Sequence, residues 1–176
     1  HATHSTADSL AAGVNDARQG GSEMAFRTSL ELLETGALQR CGVETVSLCG
    51  HPEGVGGLSS DAARAALSEK LQWAASSDVR ARVVTQFCFD SDATQGFVDA
   101  LRSDGLDVDV SLGVVGPSSL ALRRRMAERC GVSPPLEDHA TPYVRRIAAW
   151  QEARASRGVQ SLHIYPFGGL AKALRW

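Results

Sequence analysis

The feature that most constrains this chain is a contrast of residue parity repeated in four short segments. Segments 43–49, 81–87, 108–114 and 161–165 are rich in β-branched or aromatic residues and read as strands. In the third, Val108, Val110, Leu112 and Val114 share one face, while Asp107, Asp109, Ser111 and Gly113 share the other. In the last, Leu162 and Ile164 oppose Ser161, His163 and Tyr165. In the first, Val46 and Leu48 oppose Thr45, Ser47 and Cys49. Central strands of an open doubly wound sheet are apolar on both faces because helices cover both. One apolar and one polar face per strand suits a barrel whose helices lie outside and whose interior is partly polar. A sheet with one solvated face is the competing reading.

Helical stretches separate these strands. Segment 58–75 places Leu67, Leu71 and several alanines on one side. After Asp90, the residues Phe97, Val98 and Leu101 recur at helical spacing, with Asp90 or Ser91 as N-cap and Gly105 as stop. Segment 118–130 turns Leu120, Met126 and Cys130 inward, and Gly131 ends it. A linker with Pro134 and Pro135 leads to a fourth helix at 143–155. Strand and helix in alternation predict right-handed crossovers and a parallel sheet. The fold class is therefore α/β, a (βα)₈ TIM-type barrel that is incomplete in this chain, since four strands cannot close it. Residues 1–176 are read as one domain, the C-terminal part of such a barrel. The start at His1 and the stop at Trp176, a few residues into a helical stretch, point to part of a longer chain.

Composition narrows the function classes. A formal net charge of −2 gives no electrostatic reason to expect nucleic acid or an anionic membrane as partner. No stretch has the length of a membrane-spanning helix, and no secretion signal is visible, so the expected compartment is the cytoplasm. Cys41, Cys49, Cys88 and Cys130 form no CxxC pair. They are expected to be reduced and mostly buried, with no metal site. A homo-oligomer is left open.

Barrel enzymes keep their chemistry at the C-terminal strand ends and in the loops that follow. The first strand runs into Gly50-His51-Pro52-Glu53-Gly54, a glycine-rich loop that opens a helix and allows close backbone approach to a ligand. It lacks the GxGxxG spacing. The second ends in Thr85-Gln86-Phe87-Cys88-Phe89-Asp90. A strand-end glutamine can pair donor and acceptor with a flat heterocycle, or serve the structure alone. His163 and Tyr165 of the last strand should face the interior, where Tyr165 can stack on a ring. Glu69 and Lys70 read as an exposed helix face. No Ser-His-Asp order, HExxH or P-loop occurs.

Taken in order, these strand ends resemble the methylenetetrahydrofolate reductase family. Thr85-Gln86-Phe87-Cys88-Phe89-Asp90 resembles its TQFFFD segment, and Gly50-His51-Pro52-Glu53-Gly54 its GYPEGHP loop. Leu112-Gly113-Val114-Val115-Gly116-Pro117-Ser118-Ser119 resembles its PGIMPI(S/T)N-like strand end. Leu162-His163-Ile164-Tyr165 resembles its HFYT-like last strand, and His1-Ala2-Thr3-His4 echoes its HLTC strand end. The likeness runs from about Gly42 to Trp176 and is most specific at the glutamine segment.

The resemblance implies a barrel that binds FAD, NAD(P)H and folate and reduces 5,10-methylenetetrahydrofolate to the 5-methyl form. Carried over by position, Gln86 bonds substrate or nicotinamide, and Tyr165 and Leu120 line the same pocket. His51 stands where the family has a flavin-contacting Tyr, and Lys70 approaches the flavin phosphates. His1 matches a flavin-contacting His, and Asp16 an Asp near the flavin pyrimidine. The chain also departs from the pattern. The glutamate that serves the family as general acid has no matching segment, so no catalytic residue is assigned. Val55 stands where the loop usually has His, Gly169 where some members have Arg, and Leu120 where some have a substrate-stacking Phe. These changes leave open direct use of nicotinamide, or folate binding for methyl transfer or demethylation. A non-catalytic partial barrel that needs a partner to complete its sheet is a third reading.

Overall fold

A computed structural model describes residues 26–135, 140–154 and 158–176. Two short helices, α1 (Ser29–Glu34) and α2 (Ala37–Arg40), precede the first strand, β1 (Thr45–Gly50). Then follow α3 (Ser60–Ser76), β2 (Arg80–Thr85), α4 (Ser91–Ser103), β3 (Asp109–Val115), α5 (Leu120–Cys130), α6 (Thr141–Ala153), β4 (Ser161–Tyr165) and α7 (Leu170–Ala173). All four expected strands are present, with ends moved by a residue or two. The larger shifts are in β1, which starts at Thr45, and in β2, whose pairing stops at Thr85.

The strands form one parallel sheet in the order β1-β2-β3-β4. Sequential parallel neighbours require a crossover between each pair, and α3, α4 and the α5–α6 pair supply them. The order never reverses, and the fold is an α/β arrangement compatible with part of an α/β barrel. The strands are staggered. Cys49, Val84, Ser111 and Ser161 lie in one row, so β4 begins level with a position four residues beyond the start of β1.

The parity of the strands decides the core. Val46 and Leu48 of β1, Val83 of β2 and Val110 of β3 are buried with Leu67 and Leu71 of α3 and with Phe97, Val98 and Leu101 of α4. Val83, Val98, Leu101 and Val110 are fully inaccessible. The other face is open towards the strand starts, where Thr45, Ser47, Arg82, Ser161 and His163 are exposed. There Arg82 Nε donates to Ser47 Oγ (2.7 Å), and the Ser111 and Ser161 hydroxyls bond each other (2.6 Å).

Helix ends follow the sequence signals. The Asp90 carboxylate accepts from the backbone N–H groups of Asp92 and Ala93 and so caps α4. Ser119 caps α5 through Leu122 N–H, and Gly131 closes that helix in the left-handed region at φ 67°.

In α5 the fully buried residues are Arg123 and Ala127, Met126 and Cys130 turn inward as expected and pack half-buried against the cluster of Phe87, Val115, Ala127 and Val132, and Leu120 is half-buried. Two expectations are corrected. Of the four free cysteines only Cys88 is buried, Cys49 and Cys130 being half-buried and Cys41 exposed. In β4 the apolar face is not covered, with Leu162 47% and Ile164 40% exposed. The opposite edge strand, β1, has its apolar residues Val46 and Leu48 buried, so the exposure of β4 reflects what packs on its face and not its place at the edge of the described sheet. Among the described residues, no helix is long and apolar enough to cross a membrane.

Candidate functional site

Backbone hydrogen bonds gather three of the expected residues at the C-terminal ends of the strands. Beyond the last paired residue of β2, Gln86 N–H donates to the Gly50 carbonyl (2.7 Å), which holds Gln86 beside His51. The Tyr165 hydroxyl donates to the Thr85 carbonyl (3.1 Å), which brings the end of β4 across β3 to the same place. Thr85 Oγ1 accepts from Gly113 N–H (2.8 Å) where the β2–β3 pairing has ended. The Tyr165 ring reaches over β3 because Gly113 has no side chain. A Cβ there would lie 2.8 Å from Tyr165 Cε2 and would overlap the Thr85 carbonyl.

Gln86 is 6% exposed, and its Oε1 accepts from Phe87 N–H (3.3 Å). Its amide therefore turns back on the chain. Tyr165 is half-buried, and burial pushes its hydroxyl up to about 12 with help from Cys49 and Cys130. It remains a donor at neutral pH.

His51 is the other buried polar group of this rim. It is 6% exposed, and its Nδ1 has no hydrogen-bond partner among the described residues. Burial lowers its pKa to about 4, and the charge of Lys70 adds to this. The ring is therefore neutral at physiological pH, with a nitrogen that nothing described satisfies. Lys70 is half-buried, which corrects the exposed-face reading. Burial lowers its ammonium, while Cys49 and Glu69 act in the opposite sense. The influence of Lys70 on His51 brings α3 and the β1 loop to one place.

Leu120 opens α5 beyond the end of β3 and is half-buried. His1 and Asp16 lie outside the described residues. A cavity of about 180 Å³ lies at the end of β3, lined by Val115, Gly116, Pro117, Ser118, Arg123, Ala140 and Trp176. Its lining contains none of the expected site residues, so this cavity and the polar strand tips are neighbours and not one site.

The sequence reading missed two groups. One is aromatic. Phe87 meets Phe89, Tyr165 and Phe167 edge-on, with ring centroids 5.8, 5.9 and 5.3 Å apart, and His163 lies 4.8 Å from Tyr165. Aromatics two apart at two strand ends, Phe87 with Phe89 and Tyr165 with Phe167, were the available signal. The other is polar. The Cys88 thiol donates to Glu53 Oε1 (2.9 Å), and Tyr143 bonds Thr94 (2.9 Å) beside it. Burial raises both Cys88 and Tyr143, so each keeps its proton.

Fold and site together define an α/β protein with a parallel sheet, whose strand tips hold a buried neutral histidine, a glutamine and a tyrosine. No protein-family model matches the chain. Among the described residues no cluster of three His, Cys, Asp or Glu is placed to hold a metal ion.

Proposed function

We propose that this chain is the C-terminal part of a (βα)₈ barrel that binds folate and reduces 5,10-methylenetetrahydrofolate with NAD(P)H. The observation that carries the reading is the pair of hydrogen bonds that joins three strand tips, Gln86 N–H to Gly50 and the Tyr165 hydroxyl to Thr85. They align His51, Gln86 and Tyr165 along one rim, where a barrel enzyme carries its chemistry. The stagger of the sheet supports the barrel. An eight-stranded barrel with a shear of about 8 needs roughly one residue of offset per strand. The four-residue rise from β1 to β4 is of that size.

The chain's own residues would act by binding and positioning. Gln86 would offer its amide to the pterin or nicotinamide edge after turning from Phe87, and Tyr165 would cover a ring beside it. His51 would meet a flat polar ring through its unsatisfied Nδ1 once the cover over that buried atom opens, and Lys70 would offer its charge to phosphate. These two fit a flavin dinucleotide, which when bound supplies the relay that carries hydride from nicotinamide to folate. Val55, Gly169 and Leu120 each offer less than the family pattern, and no residue of the chain is assigned to proton delivery. NAD(P)H oxidation with methylenetetrahydrofolate as acceptor tests the reading, and a yellow preparation would show flavin. Gln86→Ala should lower turnover with folate more than it lowers stability to urea. Equal losses would make Gln86 structural only.

A partial barrel without catalysis is the second reading. The exposure of Leu162 and Ile164 on an edge strand favours it, because an unpaired apolar edge invites self-association. Gel filtration separates the two. A monomer that oxidises NAD(P)H supports the first, and an inactive oligomer the second.

A further inference from the structure

We propose that Glu53 is a positioning residue that ties three loops into one rim and thereby fixes His51. The proposal rests on the reading of His51 as part of the ligand pocket. Both carboxylate oxygens are engaged. Oε1 takes the Cys88 S–H from the loop after β2 (2.9 Å), and Oε2 takes Ser133 N–H from the linker after α5 (2.7 Å). Glu53 itself belongs to the loop after β1, two residues from His51. One side chain thus joins loops from three of the sheet's crossovers.

The loop cannot yield on either side of Glu53. Gly54 N–H donates to the His51 carbonyl (3.1 Å), which closes a turn over Pro52 and Glu53. Gly54 has φ 85°, and a Cβ there would overlap the Leu58 carbonyl. The turn is therefore restricted to glycine at that position, and the carboxylate is its one tether to the other two loops among the hydrogen bonds described. Two donors facing two oxygens require an acceptor-only group, which an ionised carboxylate is and an amide is not. Cys88 can serve as a lasting donor because burial, and then Glu53 itself, keep its thiol protonated. The charged group that acts on His51 is Lys70 from α3, which is itself influenced by Cys49 of β1 and Glu69 of α3, so a shift of the loop changes how deeply the ring sits and how close that ammonium lies.

NMR titration of the His51 ring in the full chain, free of ligand, tests this. Glu53→Gln keeps the volume but turns an NH₂ toward one donor. The His51 midpoint should then rise from about 4 toward its ordinary 6.5. Cys88→Ala should move it the same way, and Cys88→Ser, which keeps a donor, should restore it. Ile147→Ala, a core truncation in α6 within a different core cluster from the β1 residues, should lower stability and leave the midpoint alone. An unchanged midpoint in Glu53→Gln, or an equal rise in Ile147→Ala, overturns the proposal. Binding of 5-methyltetrahydrofolate is measured beside it. It should weaken about tenfold in Glu53→Gln, as loss of a hydrogen bond to a charged group implies. If the midpoint follows Glu53 while the unaltered chain binds no folate, the positioning role stands and the folate reading falls.

Discussion

The β1–β2 half of the sheet and the β4 edge use the same alternation of apolar and polar residues with opposite results. In the first, Val46, Leu48 and Val83 are buried against α3 and α4, and polar residues gather at the strand tips. In the second, Leu162 and Ile164 alternate just as cleanly yet remain exposed. Alternation specifies which side of a strand faces a neighbour. Burial then depends on whether that neighbour is in place. The difference teaches that the rim at His51 and Gln86 stands on the covered half of the described sheet and is tied to the linker after α5 through Glu53, while β4 contributes its tyrosine to that rim from a weakly packed position.

The largest effect should come from comparing core truncations in the two regions. Leu101→Ala removes a fully buried side chain from beneath β2 and β3 and should cost about 2–5 kcal/mol in urea unfolding. Leu162→Ala on the edge strand should cost about 0.5 kcal/mol or less. Similar costs at both sites would mean that β4 is covered in solution and would break the contrast.

Next in size is the acid dependence of the ordered rim. His51 has a folded pKa of about 4, below its ordinary 6.5, so the unfolded chain takes up the proton first. The associated stability is full above about 6.5, drains as the pH falls and is gone below about 4, a total of about 3 kcal/mol. His51→Asn should flatten this slope in denaturation curves taken between those limits. An unaltered slope would place the acid sensitivity elsewhere.

A smaller effect concerns the seam between the two regions. Thr85→Val keeps the shape but removes the acceptor of Gly113 N–H and should cost about 1–3 kcal/mol, because a buried donor is left unsatisfied. It should also loosen Tyr165, whose hydroxyl rests on the Thr85 carbonyl. A loss of stability with the Tyr165 ring unmoved would separate the seam from the site.

Much of this was legible from the residues. Short-range signals carried the strands, the Asp90 cap and the Gly131 stop, because each depends on a few adjacent positions. The parallel sheet followed from alternation of elements. The Glu53–Cys88 bond was not legible, since it joins residues 35 apart through a contact without periodic trace. Arg123 was missed for a related reason. A run of three arginines reads as a solvated face, yet the helix places the first of them 2% exposed at the cavity beyond β3. Lys70 was misjudged because a helix face shows only which residues share a side, and not what packs over that side. The exposure of β4 was hidden because a strand's own pattern says nothing of what covers its apolar face.

The most direct measurement is an NMR titration of the purified chain with 5-methyltetrahydrofolate, following the His51 ring, the Gln86 side-chain amide and the Tyr165 ring together. The account predicts saturable shifts at all three with one common midpoint. Binding that shifts only residues around the Arg123 cavity, or no saturable shift at the three strand tips, would contradict it.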